Sequence, residues 1–257
     1  MPVRLLFTSA AQRNHSRYTR WLISRMDAVV ATSARSGSFL KVPHTVVSHG
    51  VDLDLFHPPA SPGEMMAATG LPGRYLVGCC GRVRHSKGTD LFVRAMIELL
   101  PQYPDWTAVI TGRVTAEHKA FATALEADIK AAGLQDRIRF LGEVDDVKPW
   151  FRRLTLYVAP SRNEGFGLTP LEAMASRTTV VASDAGAYAG MIVPGKTGEI
   201  APAGDFDTLR NAIARYLADP AMAEAHGEAA LAEVRARFDL RGEAAALGAI
   251  YKRLSSL

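Results

Sequence analysis

Two loops in this 257-residue chain carry residue types suited to holding a phosphate group. The first is Gly81-Arg82-Val83-Arg84-His85-Ser86-Lys87-Gly88. Its glycines let the backbone come close to a ligand, and Arg82 and Lys87 can present cations to phosphate oxygens; taken alone, the loop reads equally as a basic surface turn. It matches neither the dinucleotide fingerprint nor the Walker A loop, so it implies neither a dinucleotide nor cleavage of ATP. The second is Ser161-Arg162-Asn163-Glu164-Gly165-Phe166-Gly167-Leu168-Thr169-Pro170-Leu171-Glu172. Gly165-Phe166-Gly167 can offer successive backbone N–H groups to an anion. Glu164 and Glu172 flank that stretch and can bind hydroxyl groups on either side of a phosphate. Thr169-Pro170-Leu171-Glu172 also has the grammar of a capping box, with Thr169 as N-cap, which gives Glu172 a purely structural alternative.

Both loops join a strand pattern to a helix pattern. Strands are expected over 74–83, 106–112, 138–141, 155–160 and 178–183, and helices over 88–100, 115–132, 148–153 and 170–176. Thr115 is the expected N-cap and Gly133 the expected C-cap of the second helix. The strand runs are apolar throughout rather than alternating, as in strands buried on both faces. The fold class is therefore α/β, a doubly wound parallel sheet whose ligands bind beyond the carboxyl ends of the strands. From Asp205 the pattern is helical only, over 206–217, 222–237 and 240–254. The first 57 residues read as a different unit. Strands are expected over 3–7, 28–31 and 42–48, with an amphipathic helix over 16–26, and a turn-rich linker runs from His49 to Pro59.

Composition limits the function classes. Apolar residues make up 48% and charged residues 22%, an ordinary globular balance. No stretch reaches the ~18 apolar residues of a membrane-spanning helix. Adjacent Cys79 and Cys80 have no zinc spacing, and a reducing cytoplasm suits them. A net charge of +4 is too small to argue for nucleic acid. Its placement says more: Arg4, Arg13, Arg17, Arg20 and Arg25 all precede the first acidic residue, Asp27. They form either a solvated helix face or a surface for anionic lipid or a phosphorylated glycan. No metal site is expected. Asp52-Leu53-Asp54 lies in the linker rather than at a strand end, Asp145-Asp146 reads as a helix cap, and the histidines lack ligand spacing.

Gly81-Arg82 with Lys87-Gly88, and Glu164-Gly165-Phe166-Gly167 with Glu172, resemble the retaining GT-B glycosyltransferases of family four. His49-Gly50-Val51-Asp52 through Phe56-His57-Pro58 resembles that family's interdomain linker, Phe140-Leu141-Gly142 its base-side strand, and 197–205 its late loop. The front segment looks most like lipopolysaccharide-core mannosyltransferases. The resemblance implies a C-terminal Rossmann-like domain over 58–238 that holds a nucleotide-sugar. It further implies the tail end of an acceptor-side domain over 1–57, and a helix over 239–257 returning toward it. By the same resemblance Gly81, Arg82 and Lys87 contact the diphosphate and Leu141 lies beside the base. Gly165, Phe166, Gly167 and Leu168 supply backbone contacts, Glu172 binds the ribose and Glu164 the donor sugar. Arg82, Lys87 and Glu164 are then the catalytic residues, and no metal or other cofactor is implied.

The expected reaction is transfer of a hexose, mannose from GDP-mannose or else a sugar from a UDP-sugar, to a lipopolysaccharide-core or related lipid-linked glycan. It would take place in the cytoplasm, with peripheral contact to an anionic membrane. Two other readings stand beside it: a catalytically incomplete nucleotide-sugar-binding fragment, and a GT-B-like sugar-nucleotide epimerase or hydrolase. The short front unit leads to two expectations, apolar surface exposed around 3–7 and 29–31, and weak transfer by this chain alone. Gly190 stands where the family usually places Glu, so its loop is expected to lack a brace.

Overall fold

The computed structural model describes residues 3–61, 71 and 74–256. A small parallel sheet in the order β1-β2-β3 comprises β1 (Leu6–Ser9), β2 (Ala28–Ala31) and β3 (Thr45–Val46). Helix α1 (Arg17–Ile23) follows β1 and starts at Ser16, whose hydroxyl accepts from the Thr19 N–H. Helix α2 (Ala34–Leu40) follows β2 and has no counterpart in the sequence pattern. Its interior holds Gly37 and two serines, all poor helix formers. What starts it is a reciprocal cap between Ser33 and Ser36.

Both faces of this sheet are covered. Ile23, Leu40 and Val42 pack with Val29 and Ala31 on one face. On the other, Ile250 and Leu254 of the C-terminal helix α10 (Leu240–Ser255) pack on Ala28, Val30 and Val47. The expected exposure of 29–31 is therefore corrected: Val30 and Ala31 are 1% and 0% exposed. Val3 and Leu5 do stay exposed, because β1 begins at Leu6 rather than at residue 3.

The large sheet is also parallel throughout, in the order β6-β5-β4-β7-β8-β9. Its strands are β4 (Tyr75–Cys80), β5 (Trp106–Thr111), β6 (Ile138–Gly142), β7 (Leu156–Ala159), β8 (Thr179–Ser183) and β9 (Gly198–Ala201). Every residue of β5, β7 and β8 is buried, the physical counterpart of their unbroken apolar runs. Between the strands lie α3 (Thr89–Leu99), α4 (Lys119–Ala131), α5 (Lys148–Arg153), α6 (Thr169–Ala175) and α7 (Tyr188–Met191). Helices α8 (Phe206–Ala218) and α9 (Pro220–Arg237) follow β9. The core divides between the two faces, with Phe92, Met96, Ile110 and Tyr216 in one cluster and Phe151, Tyr157, Met174 and Val234 in the other. Thr115 does not cap α4. A 3-10 turn over Ala116–His118 intervenes, and the helix starts at Lys119 without a side-chain cap.

From β4 the chain builds outward to β5 and β6, then returns past β4 to lay down β7, β8 and β9. The order reverses between β4 and β7, and at such a switch point the loops diverge and leave a crevice. The two chain crossings between the sheets are tied to each other. Val51 N–H donates to Phe238 C=O at 2.8 Å, and Leu240 N–H to Val51 C=O at 3.1 Å. Asp52 Oδ1 accepts from the N–H groups of Asp54 and Leu55, and Asp54 pairs with Arg241 at 2.7 Å. The Asp-Leu-Asp string thus closes a turn and braces the crossing.

Candidate functional site

The loops leaving β4 and β7 are the two singled out by residue type, and they are fastened together. Gly88 adopts φ +71°, and a Cβ there would lie 1.9 Å from the Pro160 carbonyl oxygen, so no other residue fits between the loops. Ser86 C=O accepts from the N–H groups of Arg162 and Asn163 at 2.9 and 3.2 Å. The Arg162 guanidinium donates to both Asp90 oxygens and to His85 C=O, each at 2.7 Å. Burial opposes ionisation of Asp90, but the hydrogen bonds and charge of Arg162 outweigh it and hold the carboxyl below its usual range. Sequence reasoning missed this pair. Its partners lie 72 residues apart; Arg162 stands in the second loop with no role assigned to it, and Asp90 lies outside both loops.

Gly81, Arg82, Lys87, Ser161, Thr169 and Tyr188 line a narrow cleft at the carboxyl ends of β4 and β7. Arg82 is exposed and makes no ion pair among the described residues. Lys87 Nζ pairs with Glu164 Oε2, while Glu164 Oε1 accepts from the Gly165 N–H at 3.1 Å. Gln12 of the small sheet's first loop donates to Gly165 C=O at 2.7 Å. Phe166 is buried, its ring edge-on to His49 at 4.8 Å, and its carbonyl accepts from the Ala187 N–H. His49 Nδ1 and Gly50 N–H each bond the Glu243 carboxylate at 2.8 Å, so the last helix steadies the Phe166 contact. The N–H groups of Phe166, Gly167 and Leu168 find no acceptor among the described residues and remain available to an anion.

The capping box at Thr169 does not form. The residue before α6 is Leu168, already helical at φ −75° and ψ −31° and without an accepting side chain. A box needs an extended N-cap with a side-chain oxygen, and Leu168 supplies neither. Glu172 thereby loses its structural explanation. Its carboxylate accepts no hydrogen bond among the described residues, it lies close enough to Cys80 to affect that thiol, and burial raises its pKa. Burial likewise pushes the Cys80 thiol up to about 12, which keeps it inert. Leu141 is on β6, two strands from β4, and packs with Cys80 against one apolar cluster. Leu168 is exposed at the rim.

The loop containing Gly190 is braced by other means. Asp184 N–H donates to Ala201 C=O at 2.8 Å, Arg35 reaches Asp184 C=O at 2.6 Å, and Arg237 reaches Gly190 C=O at 3.2 Å. Among the described residues, no three His, Cys, Asp or Glu side chains gather as metal ligands would. No helix among them is long and apolar enough to cross a membrane.

Comparison with known proteins identifies the family. Residues 64–232 match the family described as glycosyl transferases group 1. The chain is 72% identical over 254 residues to the lipopolysaccharide core biosynthesis mannosyltransferase LpcC of Rhizobium leguminosarum bv. viciae, covering 99% of this chain and 72% of that one. The C-terminal domain of the group 1 family protein LpcC from Francisella tularensis superposes with a TM-score of 0.71 at 34% identity, over 74% of this chain and 100% of that domain. Sucrose-phosphate synthase from Thermosynechococcus elongatus gives 0.84 at 27% identity, over 98% of this chain and 68% of that one. The chain has the α/β GT-B fold, is a hexosyltransferase, and belongs to the glycosyl transferases group 1 family.

Proposed function

We propose that this enzyme moves mannose, with retention, from GDP-mannose to a lipopolysaccharide-core or related lipid-linked glycan. The observation that carries the donor site is the run of three N–H groups at 166–168 that find no acceptor among the described residues, on a loop whose Glu164 touches Lys87. Mannose and the core acceptor rest on the 72% identity with the lipopolysaccharide core biosynthesis mannosyltransferase LpcC of Rhizobium leguminosarum, and GDP is the base proposed to go with mannose. A UDP-sugar would engage the same diphosphate contacts.

Breaking the sugar–phosphate bond moves negative charge onto the leaving diphosphate. Arg82, Lys87 and the amides of Phe166, Gly167 and Leu168 meet that charge as it develops, and groups already in place stabilise a transition state without reorganising. Gly81 leaves room for the phosphates, Gly165 turns the loop, Leu141 borders the base, Glu172 takes the ribose hydroxyls and Glu164 a hydroxyl of the sugar. The cationic charge at the diphosphate comes from side chains, so no metal enters this scheme. Residues 58–238 act as the donor domain, and residues 1–57 with 239–257 as the acceptor side. Calorimetry with GDP and UDP, followed by transfer from labelled GDP-mannose to a core acceptor, tests the reading. Tighter binding of UDP than GDP would overturn the donor assignment.

Helix α1 supports a cytoplasmic enzyme that rests on the inner membrane face. Tyr18 and Trp21 are 68% and 50% exposed and stack at 6.1 Å, with Arg25 over the Trp21 ring at 4.9 Å. Exposed aromatic rings among arginines suit an anionic interface. Sedimentation with anionic vesicles, compared with zwitterionic ones and repeated with Trp21→Ser, tests this contact. Equal binding to both kinds of vesicle would refute it.

A further inference from the structure

Glu164 is held from a side that no motif foretold. The loop after β8 folds back over the loop after β7: Ala187 N–H donates to Phe166 C=O at 3.2 Å, and a Cβ on Gly186 would come within 2.9 Å of Glu164 Cβ. At the end of this loop Tyr188 is 1% exposed. Its ring lies so close over Gly167 that a Cβ there would meet Tyr188 Cε1 at 2.3 Å, in a backbone conformation of φ +85° that itself favours glycine. Its hydroxyl donates to Glu164 Oε2 at 3.2 Å. Lys87 Nζ bonds the same oxygen.

The two donors on Oε2 differ in what happens when the donor arrives. Lys87 is one of the two cations proposed for the diphosphate, and a diphosphate carrying two negative charges competes with one carboxylate for it. The Tyr188 hydroxyl also interacts with Ser161, which acts on the phenol in the opposite sense to Glu164, and neither contact carries a charge that a phosphate would draw away. Burial, then the neighbouring Glu164 charge, raises the Tyr188 pKa, so the phenol keeps its proton and remains a donor.

We propose that Tyr188 is a positioning residue: its hydroxyl fixes the Glu164 carboxylate toward the donor sugar once Lys87 turns to the diphosphate. This rests on the assignment of Glu164 to the sugar. Without Tyr188, the departure of Lys87 would leave Oε2 unheld and the carboxylate fixed only through the Gly165 N–H on Oε1. Tyr188 separates those two duties, and Gly167 provides the space for its ring.

The test compares binding of GDP and GDP-mannose by calorimetry for the wild type, Tyr188→Phe, Glu164→Gln and the double variant. Tyr188→Phe keeps the buried ring, and its GDP affinity reports whether the diphosphate site is intact. The expected result is unchanged GDP affinity with about tenfold weaker GDP-mannose binding, the effect of one hydrogen bond to a charged group. The double variant should be no weaker than Glu164→Gln, because the hydroxyl acts through that carboxylate. Equal loss of GDP and GDP-mannose affinity would make the hydroxyl a structural brace and overturn the proposal, as would no loss of either. If Glu164→Gln itself leaves GDP-mannose binding unchanged, the assignment of Glu164 to the sugar fails. If Glu164→Gln weakens it and Tyr188→Phe does not, only the positioning role fails.

Discussion

Glu172→Gln distinguishes a binding carboxylate from a structural one by the sign of its effect on stability. In the ligand-free chain Glu172 is half-buried, accepts no hydrogen bond among the described residues, and has a pKa raised by burial above its usual 4.5. The folded state therefore holds that proton more tightly than the unfolded state does. As the pH rises from about the unfolded value through the raised folded value, folding loses stability, the reverse of the usual paired carboxylate. Above that window the charged Glu172 is a cost that Gln does not carry. Glu172→Gln should melt at the same temperature as the wild type or higher, with a flatter dependence on acid pH. Affinity should move the other way. A charged hydrogen bond to the ribose contributes about 1.5–3 kcal/mol, so GDP should bind about 10- to 100-fold more weakly.

Thermal melts without ligand and calorimetry with GDP read the two effects separately. A 2′,3′-dideoxy analogue of GDP, lacking the hydroxyls, should bind wild type and variant alike. Thr169→Ala is the companion measurement. In a capped helix it would cost about 1 kcal/mol, but here the residue before α6 is Leu168 and that loss should not appear. The reasoning is refuted if Glu172→Gln melts several degrees lower while its GDP affinity is unchanged.

Other expectations follow from the fastening of the two loops. Asp90→Ala should lower stability by about 1–2 kcal/mol and weaken GDP binding, because Arg162 then loses both carboxylate bonds. Since the Asp90 pKa is depressed in the folded state, that stabilisation is present above its ordinary value of 3.8 and lost as the pH falls through the folded value. Melts of variant and wild type should accordingly converge in strong acid. Gly88→Ala should destabilise by more than the roughly 1–2 kcal/mol of a left-handed backbone alone, since its Cβ would strike the Pro160 carbonyl, and calorimetry should show loss of GDP binding. Nucleotide affinity should be insensitive to EDTA and should fall in Arg82→Ala, with a shallower salt dependence than the wild type. Affinity abolished by EDTA would refute the side-chain origin of the cationic charge.

What could be read in advance separates from what could not by the range of the forces involved. Strands β5, β7 and β8 are legible because burial on both faces leaves an unbroken apolar run in the chain itself. The site loops are legible because a close backbone approach at Gly88 and free amides at 166–168 demand glycine and cations at fixed local spacing. Strand β9 falls in a stretch that reads as a loop in the sequence: its four residues, Gly198–Ala201, lie at the sheet edge beside β8 and carry little apolar signal. Helix α2 fails a propensity reading because its start depends on one serine pair rather than on its interior.

The contacts that hold the site in shape belong to a different class. Arg162 and Asp90 are 72 positions apart, Tyr188 and Glu164 are 24 apart, and His49 and Glu243 are 194 apart. No local backbone requirement selects any of these residues, so no spacing announces them. Each becomes visible only in the fold: at the switch point for Arg162 and Asp90, between the ends of β7 and β8 for Tyr188 and Glu164, and where the last helix returns to the first sheet for His49 and Glu243. The same account explains why 29–31 was expected to be bare. Its apolar character is legible, but α2 is hidden by its composition, and Ile250 and Leu254 arrive from more than 200 residues away. Sequence pattern therefore locates the groups that touch the ligand better than the groups that hold them. The second set is where substitutions should alter the difference between nucleotide and nucleotide-sugar binding while leaving the recognisable motifs intact.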